Sequence, residues 1–270
     1  MATYVFSDVH GHHRTLERLL DKVSPSEEDE IWILGDMVDR GPDPVSVMRV
    51  CRDLKGAHII MGNHEAMMVD YERDPSNQLA EYSWVINGGM ATRECLDALT
   101  REERIDYVDW VADLPLYAHI HVGERDYLLV HAGVRRAHFT SHSHWSDATM
   151  DRLLMYQEKE DLLWIRDDFW GQPTGLINAE GKGPVVIAGH TPVPYIPDYT
   201  HDYDREPRNE DGQCQVMHLG ACEATGQVAD RWAIDCGAAG GAGWGGIAMI
   251  RLADGDEEYK EEYVYVEEGE

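Results

Sequence analysis

Residues 3–11 (TYVFSDVHG), 31–41 (IWILGDMVDRG) and 58–65 (HIIMGNHE) decide the fold of this 270-residue chain. Each stretch opens with a short run rich in apolar and β-branched residues and then breaks at glycine or at a polar residue, which is typical of a short buried strand. Two amphipathic segments, 14–23 and 44–54, separate the strands and carry apolar residues at helical spacing. The order strand, helix, strand, helix, strand predicts an α/β fold whose sheet is covered on both faces.

Polar side chains that can bind metal follow each predicted strand. In open α/β sheets, functional residues collect in the loops beyond the carboxyl ends of the strands. Two later strands, 127–130 and 185–188, have the same construction and are followed by His131 and His190. The oxygen and nitrogen donors at the five strand ends suit borderline divalent metals such as manganese, iron or zinc. They are Asp8, His10, Asp36, Asn63, His131 and His190.

The five strand-end motifs, taken in order, resemble those of the calcineurin-like metallophosphoesterases. Within that superfamily they resemble the serine/threonine protein phosphatase (PPP) type, in its bacterial and phage branch, which is related to the diadenosine tetraphosphatases. The motifs are DVHG at 8–11, GDMVDRG at 35–41, GNHE at 62–65, HAG at 131–133 and GHT at 189–191. The resemblance implies two packed mixed β-sheets flanked by helices, a four-layer α/β/β/α sandwich.

The resemblance also implies two divalent metal ions, with manganese as the expected metal and iron or zinc as alternatives. Asp8 and His10 would hold one ion, Asn63, His131 and His190 would hold the other, and Asp36 would bridge both. Two metals that share a water lower its pKa and present hydroxide to phosphorus. Hydrolysis would therefore be direct, without a phosphoenzyme. None of the five cysteines lies in a motif, so no covalent nucleophile is indicated.

Four further residues complete the site that the resemblance implies. His64 resembles the general acid and Asp39 the residue that orients it, since imidazole titrates near neutral pH and a carboxylate keeps it charged. Arg40 resembles a phosphate clamp, for which the planar guanidinium is suited. Arg166 ends a short apolar segment that resembles the source of a second clamp in bacterial members. The alternative for Arg166 is a surface ion pair with one of the two aspartates that follow it.

We expect a single domain over residues 1–270, with a mainly helical, cap-like insertion at about 71–117 that forms a lid or wall beside the site. The C-terminal third alternates predicted strands with turns, and we interpret these strands as a second sheet packed on the first. Residues 234–238 (IDCGA) resemble a family loop close to the metal centre, but Asp235 has no assigned role. The histidines within 138–144 are interpreted as part of an exposed loop rather than an extra metal site.

The composition restricts the partners. The chain has 51 acidic and 23 basic residues, a formal net charge of −28. Such a surface repels nucleic-acid polymers and anionic membranes, so neither is expected as a partner. A phosphoprotein or a small phosphorylated substrate is expected instead, because metals and arginines would dominate the local charge. The acid excess would suit a salt-rich cytoplasm but also occurs elsewhere.

The five cysteines are scattered and form no disulfide framework, and the sequence shows neither a secretory signal nor a stretch that could span a bilayer. We therefore expect a soluble cytoplasmic protein.

The sequence predicts a dinuclear metal-dependent phosphoesterase that hydrolyses phosphate esters by attack of metal-bound hydroxide. The main hypothesis is a serine/threonine protein phosphatase, because residues 38–41 (VDRG) and 62–65 (GNHE) favour it over the symmetrical tetraphosphatases. The alternative is a bis(5'-nucleosyl)-tetraphosphatase or another nucleotide phosphohydrolase, whose motifs are very similar. A non-catalytic binding scaffold is the least favoured hypothesis, because the six ligands and His64, Asp39 and Arg40 are all intact.

Overall fold

The computed structural model describes residues 1–136, 146–253 and 259–270, so the histidines at 138, 142 and 144 lie outside the described residues. Ten β-strands are assigned within these ranges, several of them shorter than the apolar runs of the sequence. They are β1 (Thr3–Phe6), β2 (Glu30–Ile33), β3 (Ala57–Ile59), β4 (Tyr117–Val122), β5 (Arg125–Val130), β6 (Val185–Ala188), β7 (Met217–Leu219), β8 (Arg231–Ala233), β9 (Gly246–Arg251) and β10 (Lys260–Tyr265).

The strands form two mixed five-stranded sheets. The first has the order β10-β9-β1-β2-β3, in which β1, β2 and β3 are parallel and the other two strands are antiparallel to their neighbours. The second has the order β4-β5-β6-β8-β7, in which β5, β6 and β8 are parallel. The predicted architecture of two mixed sheets is therefore confirmed.

The C-terminal strands do not form a sheet of their own, contrary to the prediction from their alternation. β7 and β8 join the second sheet, whereas β9 and β10 extend the first sheet beyond β1. The physical reason is that β9 is apolar on both faces. Ile247 and Met249 pack toward the helices, and Ala248 and Ile250 pack between the sheets. A strand of this kind fits either sheet, and it pairs here with the free edge of β1.

Helices cover the two sheets. The first sheet packs against α1 (His13–Val23) and α2 (Pro44–Asp53) through residues such as Leu16, Leu19 and Met48. The second sheet shares a buried cluster with Phe169 and Trp170 of α9 (Asp167–Trp170). In the described part of the chain, no helix is long and apolar enough to cross a membrane. The α-helices are α1 (His13–Val23), α2 (Pro44–Asp53), α3 (Asn63–Arg73), α4 (Gln78–Ile86), α5 (Met90–Asp97), α6 (Arg101–Ala112), α7 (Asp147–Leu154), α8 (Lys159–Trp164) and α9 (Asp167–Trp170).

Segment 71–117 holds the end of α3, the whole of α4, α5 and α6, and the first residue of β4. Its helices have strong local start signals. Asn77 caps α4 by accepting hydrogen bonds from two backbone N–H groups of the first turn. Thr100 and Glu103 form a reciprocal capping box at the start of α6. These caps satisfy backbone donors that would otherwise lack partners, and they explain where the helices begin.

Candidate metal centre

The predicted metal ligands meet where parallel strands of both sheets end. Each of the six is at most 6% exposed. The imidazole of His131, from the second sheet, donates through Nδ1 to the carbonyl oxygen of Leu34 at the end of β2 (2.7 Å), which joins the two sheets at this edge. Asp8, Asp36 and Asn63 follow β1, β2 and β3, and His131, His190 and Asp235 follow β5, β6 and β8.

One group of donors surrounds His10. Its Nδ1 donates to the carbonyl oxygen of Val38 (3.0 Å), so the neutral ring directs the lone pair of Nε2 into the site. That nitrogen lies 3.5 Å from Oδ2 of Asp36 and 4.0 Å from Oδ1 of Asp8. Both separations exceed a normal hydrogen bond. A histidine fixed through its second nitrogen and facing carboxylate oxygens is the arrangement that metal sites use.

A second group of donors surrounds the amide oxygen of Asn63. Oδ1 lies 2.8 Å from Nε2 of His131 and 2.9 Å from Nδ1 of His190. Burial lowers the pKa of His131 to about 3, so this ring is neutral and carries its proton on Nδ1. Nε2 of His131 and the amide oxygen of Asn63 then present lone pairs to the same space, and imidazole nitrogens with an amide oxygen suit a divalent cation. These residues therefore fit a divalent metal.

Asp36 belongs to both groups. The ligand atoms of His10, Asp36 and His64 lie within 4.8 Å of one another, and so do those of Asp36, His131 and His190. Burial raises the pKa of Asp36, and the neighbouring carboxylate of Asp8 raises it further. Cations in the two groups would offset this cost. The geometry thus suits the bridging role predicted for Asp36, while the individual ligand assignments stay predictions.

The backbone is strained at the residues of the site. Of the described residues other than glycine, eight have a positive φ, and six of these are predicted site residues. This left-handed region disfavours side chains with a β-carbon and costs on the order of 1–3 kcal/mol per residue, so it persists only where the surroundings hold it. The six, with φ between 47° and 71°, are Asp8, His10, Asp36, Asp39, Arg40 and His190.

Glu65 holds the loop after β2 in this conformation. Its carboxylate accepts hydrogen bonds from the backbone N–H groups of Asp36 (2.7 Å), Met37 (2.7 Å) and Gly62 (2.9 Å), and the side chain is fully buried. Glu65 belongs to the GNHE motif at 62–65, but no role is predicted for it from the motif. Its position in the first turn of α3, three residues after Gly62, is the capping-box position and was a usable signal.

Two glycines allow the loops to approach closely. A β-carbon on Gly62 would lie 2.2 Å from Oδ1 of Asp36, and one on Gly189 would lie 2.0 Å from Oδ2 of Asp8. Both distances are far below a van der Waals contact, so any larger residue would push the carboxylates out of place. The motifs require glycine at these positions for this steric reason.

The predicted acid and clamp lie beside the metal ligands. Nδ1 of His64 lies 2.6 Å from Oδ2 of Asp39, and Nη2 of Arg40 lies 3.1 Å from Nε2 of His64. A guanidinium can only donate, so Nε2 of His64 accepts and the ring proton lies on Nδ1, toward Asp39. Burial lowers the pKa of His64, and Asp39 opposes that shift. The structure thus brings together the three residues as the sequence predicts.

Arg166 lies between α8 and α9, near enough to the predicted metal-binding histidines for its charge to act on them. Burial is the main cause of the lowered pKa values of His131 and His190, and the positive charge of Arg166 lowers both further. Among the described residues, Arg166 forms no ion pair with the two aspartates that follow it, and Asp168 pairs instead with Arg135 (2.5 Å). The placement near the histidines is what a second phosphate clamp requires.

Asp235 occupies the sixth strand end. Burial raises its pKa to about 6, although the N–H of Gly237 donates to its carboxylate (2.8 Å) and opposes the shift. After burial, the charge of Asp235 is the largest cause of the raised pKa of Asp8, so the two carboxylates are neighbours. No role is predicted for Asp235 from the sequence. Its place at the end of a parallel strand was the signal.

Asp39 has two further partners that the sequence analysis missed, Trp84 of α4 and Thr92 of α5. The indole N–H of Trp84 lies 3.0 Å from each carboxylate oxygen of Asp39, and the hydroxyl of Thr92 donates to Oδ1 (2.6 Å). Helical periodicity alone marks both as ordinary core residues, so the sequence carried no signal for this contact. The helical insertion therefore contacts the site through Asp39.

Comparison with known proteins agrees with this geometry. The family model described as calcineurin-like phosphoesterase matches residues 1–217. A symmetrical bis(5'-nucleosyl)-tetraphosphatase from Erwinia tasmaniensis is 33% identical over 138 residues, which cover 50% of this chain and 45% of the relative. One from Nitrosospira multiformis is 33% identical over 136 residues, covering 50% and 44%. The alignments thus span about half the length of this chain and less than half of these relatives.

Solved structures share the fold. A serine/threonine protein phosphatase from Saccharomyces cerevisiae has a TM-score of 0.57 at 15% identity, covering 100% of this chain and 81% of that chain. A metallophosphoesterase from Sphaerobacter thermophilus has a TM-score of 0.50 at 20% identity, covering 98% and 89%. At these identities the likeness shows the fold alone. Together with the family match over residues 1–217, it confirms the predicted resemblance, and the chain belongs to the calcineurin-like phosphoesterase family.

Proposed function

We propose that this protein is a metal-dependent hydrolase of the phosphoesterase family that cleaves the central phosphoanhydride bond of bis(5'-nucleosyl) tetraphosphates. The observation that carries the chemistry is the pair of buried donor groups that share Asp36 beside the His64–Asp39 pair. The choice of substrate is supported by the relatives named symmetrical bis(5'-nucleosyl)-tetraphosphatases. These relatives favour the alternative hypothesis of the sequence analysis over a serine/threonine protein phosphatase.

The residues divide the work as follows. Asp8 and His10 would hold one divalent cation, Asn63, His131 and His190 the other, and Asp36 both. When bound, such cations activate water and offset the charge of the phosphoryl group. Manganese is the metal to test first, and iron and zinc suit the same oxygen and nitrogen donors.

Arg40 and His64 act in sequence on the substrate. In this structure the guanidinium of Arg40 donates a hydrogen bond to Nε2 of His64. Nε2 is the atom from which His64 would deliver its proton. Phosphoryl oxygens attract the guanidinium more strongly than a neutral imidazole does. Substrate binding would therefore turn Arg40 toward the phosphate and free Nε2. Once Nε2 is free, His64 would take up a proton there from solvent while Nδ1 stays hydrogen-bonded to Asp39. As water adds to phosphorus and the bond to the leaving oxygen breaks, His64 would give that proton to the leaving oxygen.

Turnover on two substrates tests the proposal. Diadenosine tetraphosphate and a phosphothreonine peptide are offered separately to the manganese-loaded protein, with a chelator control and products separated by chromatography. We expect a higher kcat/KM for the dinucleotide and formation of two molecules of adenosine diphosphate, the products of symmetrical hydrolysis. A preference for the peptide would return the protein phosphatase hypothesis to first place. Turnover that resists the chelator would contradict the metal-dependent chemistry.

A further inference from the structure

We propose that Trp84 and Thr92 of the helical insertion are positioning residues that fix the direction in which His64 delivers its proton. The proposal rests on the proposed function, because it assumes that His64 is the general acid. Both residues act through Asp39, which contacts the imidazole of His64. Neither residue is among the motif positions of the sequence, and they lie on helices that follow the third motif.

The hydrogen bonds on Asp39 leave its carboxylate one orientation. Oδ2 faces Nδ1 of His64 (2.6 Å) and accepts from Nε1–H of Trp84 (3.0 Å). Oδ1 accepts from the same indole N–H (3.0 Å) and from the hydroxyl of Thr92 (2.6 Å). The backbone N–H of Asp39 in turn donates to Oγ1 of Thr92 (2.8 Å). Each oxygen thus has two partners, and one threonine hydroxyl links the backbone of Asp39 to its own side chain.

Close packing restricts the motion of Trp84 and Thr92. Asp39, Trp84 and Thr92 are all fully buried. The indole lies so close to the backbone of Gly89 that a β-carbon at that position would be 2.4 Å from the ring. The ring centroids of Trp84 and Tyr71 are 5.2 Å apart. The indole N–H lies at the same distance from both carboxylate oxygens of Asp39. Rotation of the carboxylate would weaken these hydrogen bonds, so the indole restricts that rotation.

The same insertion also holds Arg40. The backbone N–H of Arg40 donates to the carbonyl oxygen of Gly88 (3.1 Å), and its Nε donates to that of Asn87 (3.3 Å). The turn between α4 and α5 therefore supports the phosphate clamp, while the helices on either side support the partner of the acid. General acid catalysis contributes roughly 10²- to 10⁴-fold only when the donor lies in reach of the leaving oxygen. A loosened Asp39 would reduce that factor.

The test separates proton delivery from general stability. Trp84→Phe keeps an aromatic ring, smaller than the indole, and removes the N–H; Thr92→Val removes the hydroxyl, and Thr92→Ser restores it. Trp110→Phe, on α6 of the same insertion, is the matched control. Each variant is assayed on phenyl phosphate, whose leaving group needs a proton, and on 2,4-dinitrophenyl phosphate, whose leaving group does not. Manganese per chain and the melting temperature are measured alongside.

For Trp84→Phe and Thr92→Val we expect kcat on phenyl phosphate to fall at least about 10-fold and kcat on the dinitrophenyl ester to fall less than about 3-fold. KM and manganese content should not change, and Thr92→Ser and Trp110→Phe should resemble the wild type. Equal losses on both esters, or loss of manganese, would show a merely structural role and overturn the proposal. If Trp84→Phe fails to fold, the Thr92→Val and Thr92→Ser pair decides.

Aryl phosphates keep this test apart from the choice of natural substrate. A wild-type protein that hydrolyses both esters but not diadenosine tetraphosphate would refute the proposed substrate and leave the positioning test intact. If the wild-type protein hydrolysed neither ester, the general-acid role of His64 would lack support and the positioning proposal would be overturned.

Discussion

For single residues, the strained backbone at the strand ends explains how a few side chains form the whole candidate site. A left-handed backbone at Asp8 and Asp36 lets each carboxylate meet the other ligands beyond the end of its strand, and at Asp39 it lets the carboxylate meet Trp84. The strain is balanced by hydrogen bonds that the same residues accept or donate, such as the backbone N–H of Asp36 to Glu65. Ligand geometry is thus set by the backbone before any metal binds.

The role of His64 can be tested by replacing it with asparagine. We expect kcat on phenyl phosphate to fall by roughly 10²- to 10⁴-fold, because the amide cannot deliver a proton to the phenolate oxygen. Manganese content should remain near that of the wild type, since the predicted ligands are retained. The measurement pairs steady-state turnover with metal analysis after gel filtration. His58→Asn, an exposed histidine stacked on Trp32, is the control, and full activity in His64→Asn would refute the assignment.

At the scale of elements, the parallel strands of both sheets bring ligands from distant parts of the chain into contact, such as Asn63 with His131 and His190. The α/β class, the strand-end positions and the resemblance were available from the sequence, because short apolar runs and strand-end motifs are local signals. The pairing of β9 with β1 was not, since a strand apolar on both faces carries no mark of its neighbour. The contact of Trp84 with Asp39 was hidden for a similar reason. In a sequence, a tryptophan on a helix is explained by burial in the core. Only the structure shows that the N–H of Trp84 donates to Asp39.

Glu65 links the loop after β2 to the start of α3, and Glu65→Gln tests that link. The amide offers one acceptor oxygen in place of two, and its NH₂ group would face backbone donors. We expect the free energy of unfolding to fall by about 2–4 kcal/mol, because buried donors lose a charged acceptor. Urea unfolding of chelator-treated protein measures this without a metal contribution. The exposed Glu28→Gln should change stability by less than about 0.5 kcal/mol.

Asp204 connects the loop before β7 to His218 on that strand, and this contact should make stability sensitive to acid. Burial alone would raise the pKa of Asp204, but hydrogen bonds from the side chain and backbone of His218 (both 2.9 Å) outweigh it and lower the pKa to about 2, from an ordinary 3.8. A lowered pKa means that the folded state prefers the charged form. The contribution is therefore present above about pH 4 and is lost as the pH falls toward 2.

Unfolding of the wild type and of Asp204→Asn, each measured at about pH 5 and about pH 2.5, isolates this contribution. The stability difference between the two proteins should be about 1 kcal/mol at the higher pH, after allowance for partial solvent exposure, and should shrink in acid. Asp211→Asn, an exposed aspartate in the same loop region, should show no such change. A difference that grows as the pH falls would contradict the assigned direction of the shift.

At the scale of the whole molecule, the charge of −28 surrounds a site that must accept a polyanion. Metals and arginines would attract phosphate at short range, but the protein surface repels it at longer range. Because the Debye length is roughly 10 Å at 0.1 M salt and 30 Å at 0.01 M, moderate salt screens the long-range repulsion more than the short contacts inside the site. Varying the ionic strength can therefore separate the long-range repulsion by the surface from the short-range attraction inside the site.

We expect kcat/KM for diadenosine tetraphosphate to rise several-fold between about 10 mM and about 150 mM salt, because association is slowed by surface repulsion when screening is weak. Phenyl phosphate carries fewer charges, so its kcat/KM should rise less over the same range, and this makes it the matched control on one enzyme. Manganese is kept saturating so that salt does not act through metal loss. A steady fall with salt for the dinucleotide would mean that local positive charge steers the substrate from a distance, and that the acidic surface has no effect on its capture.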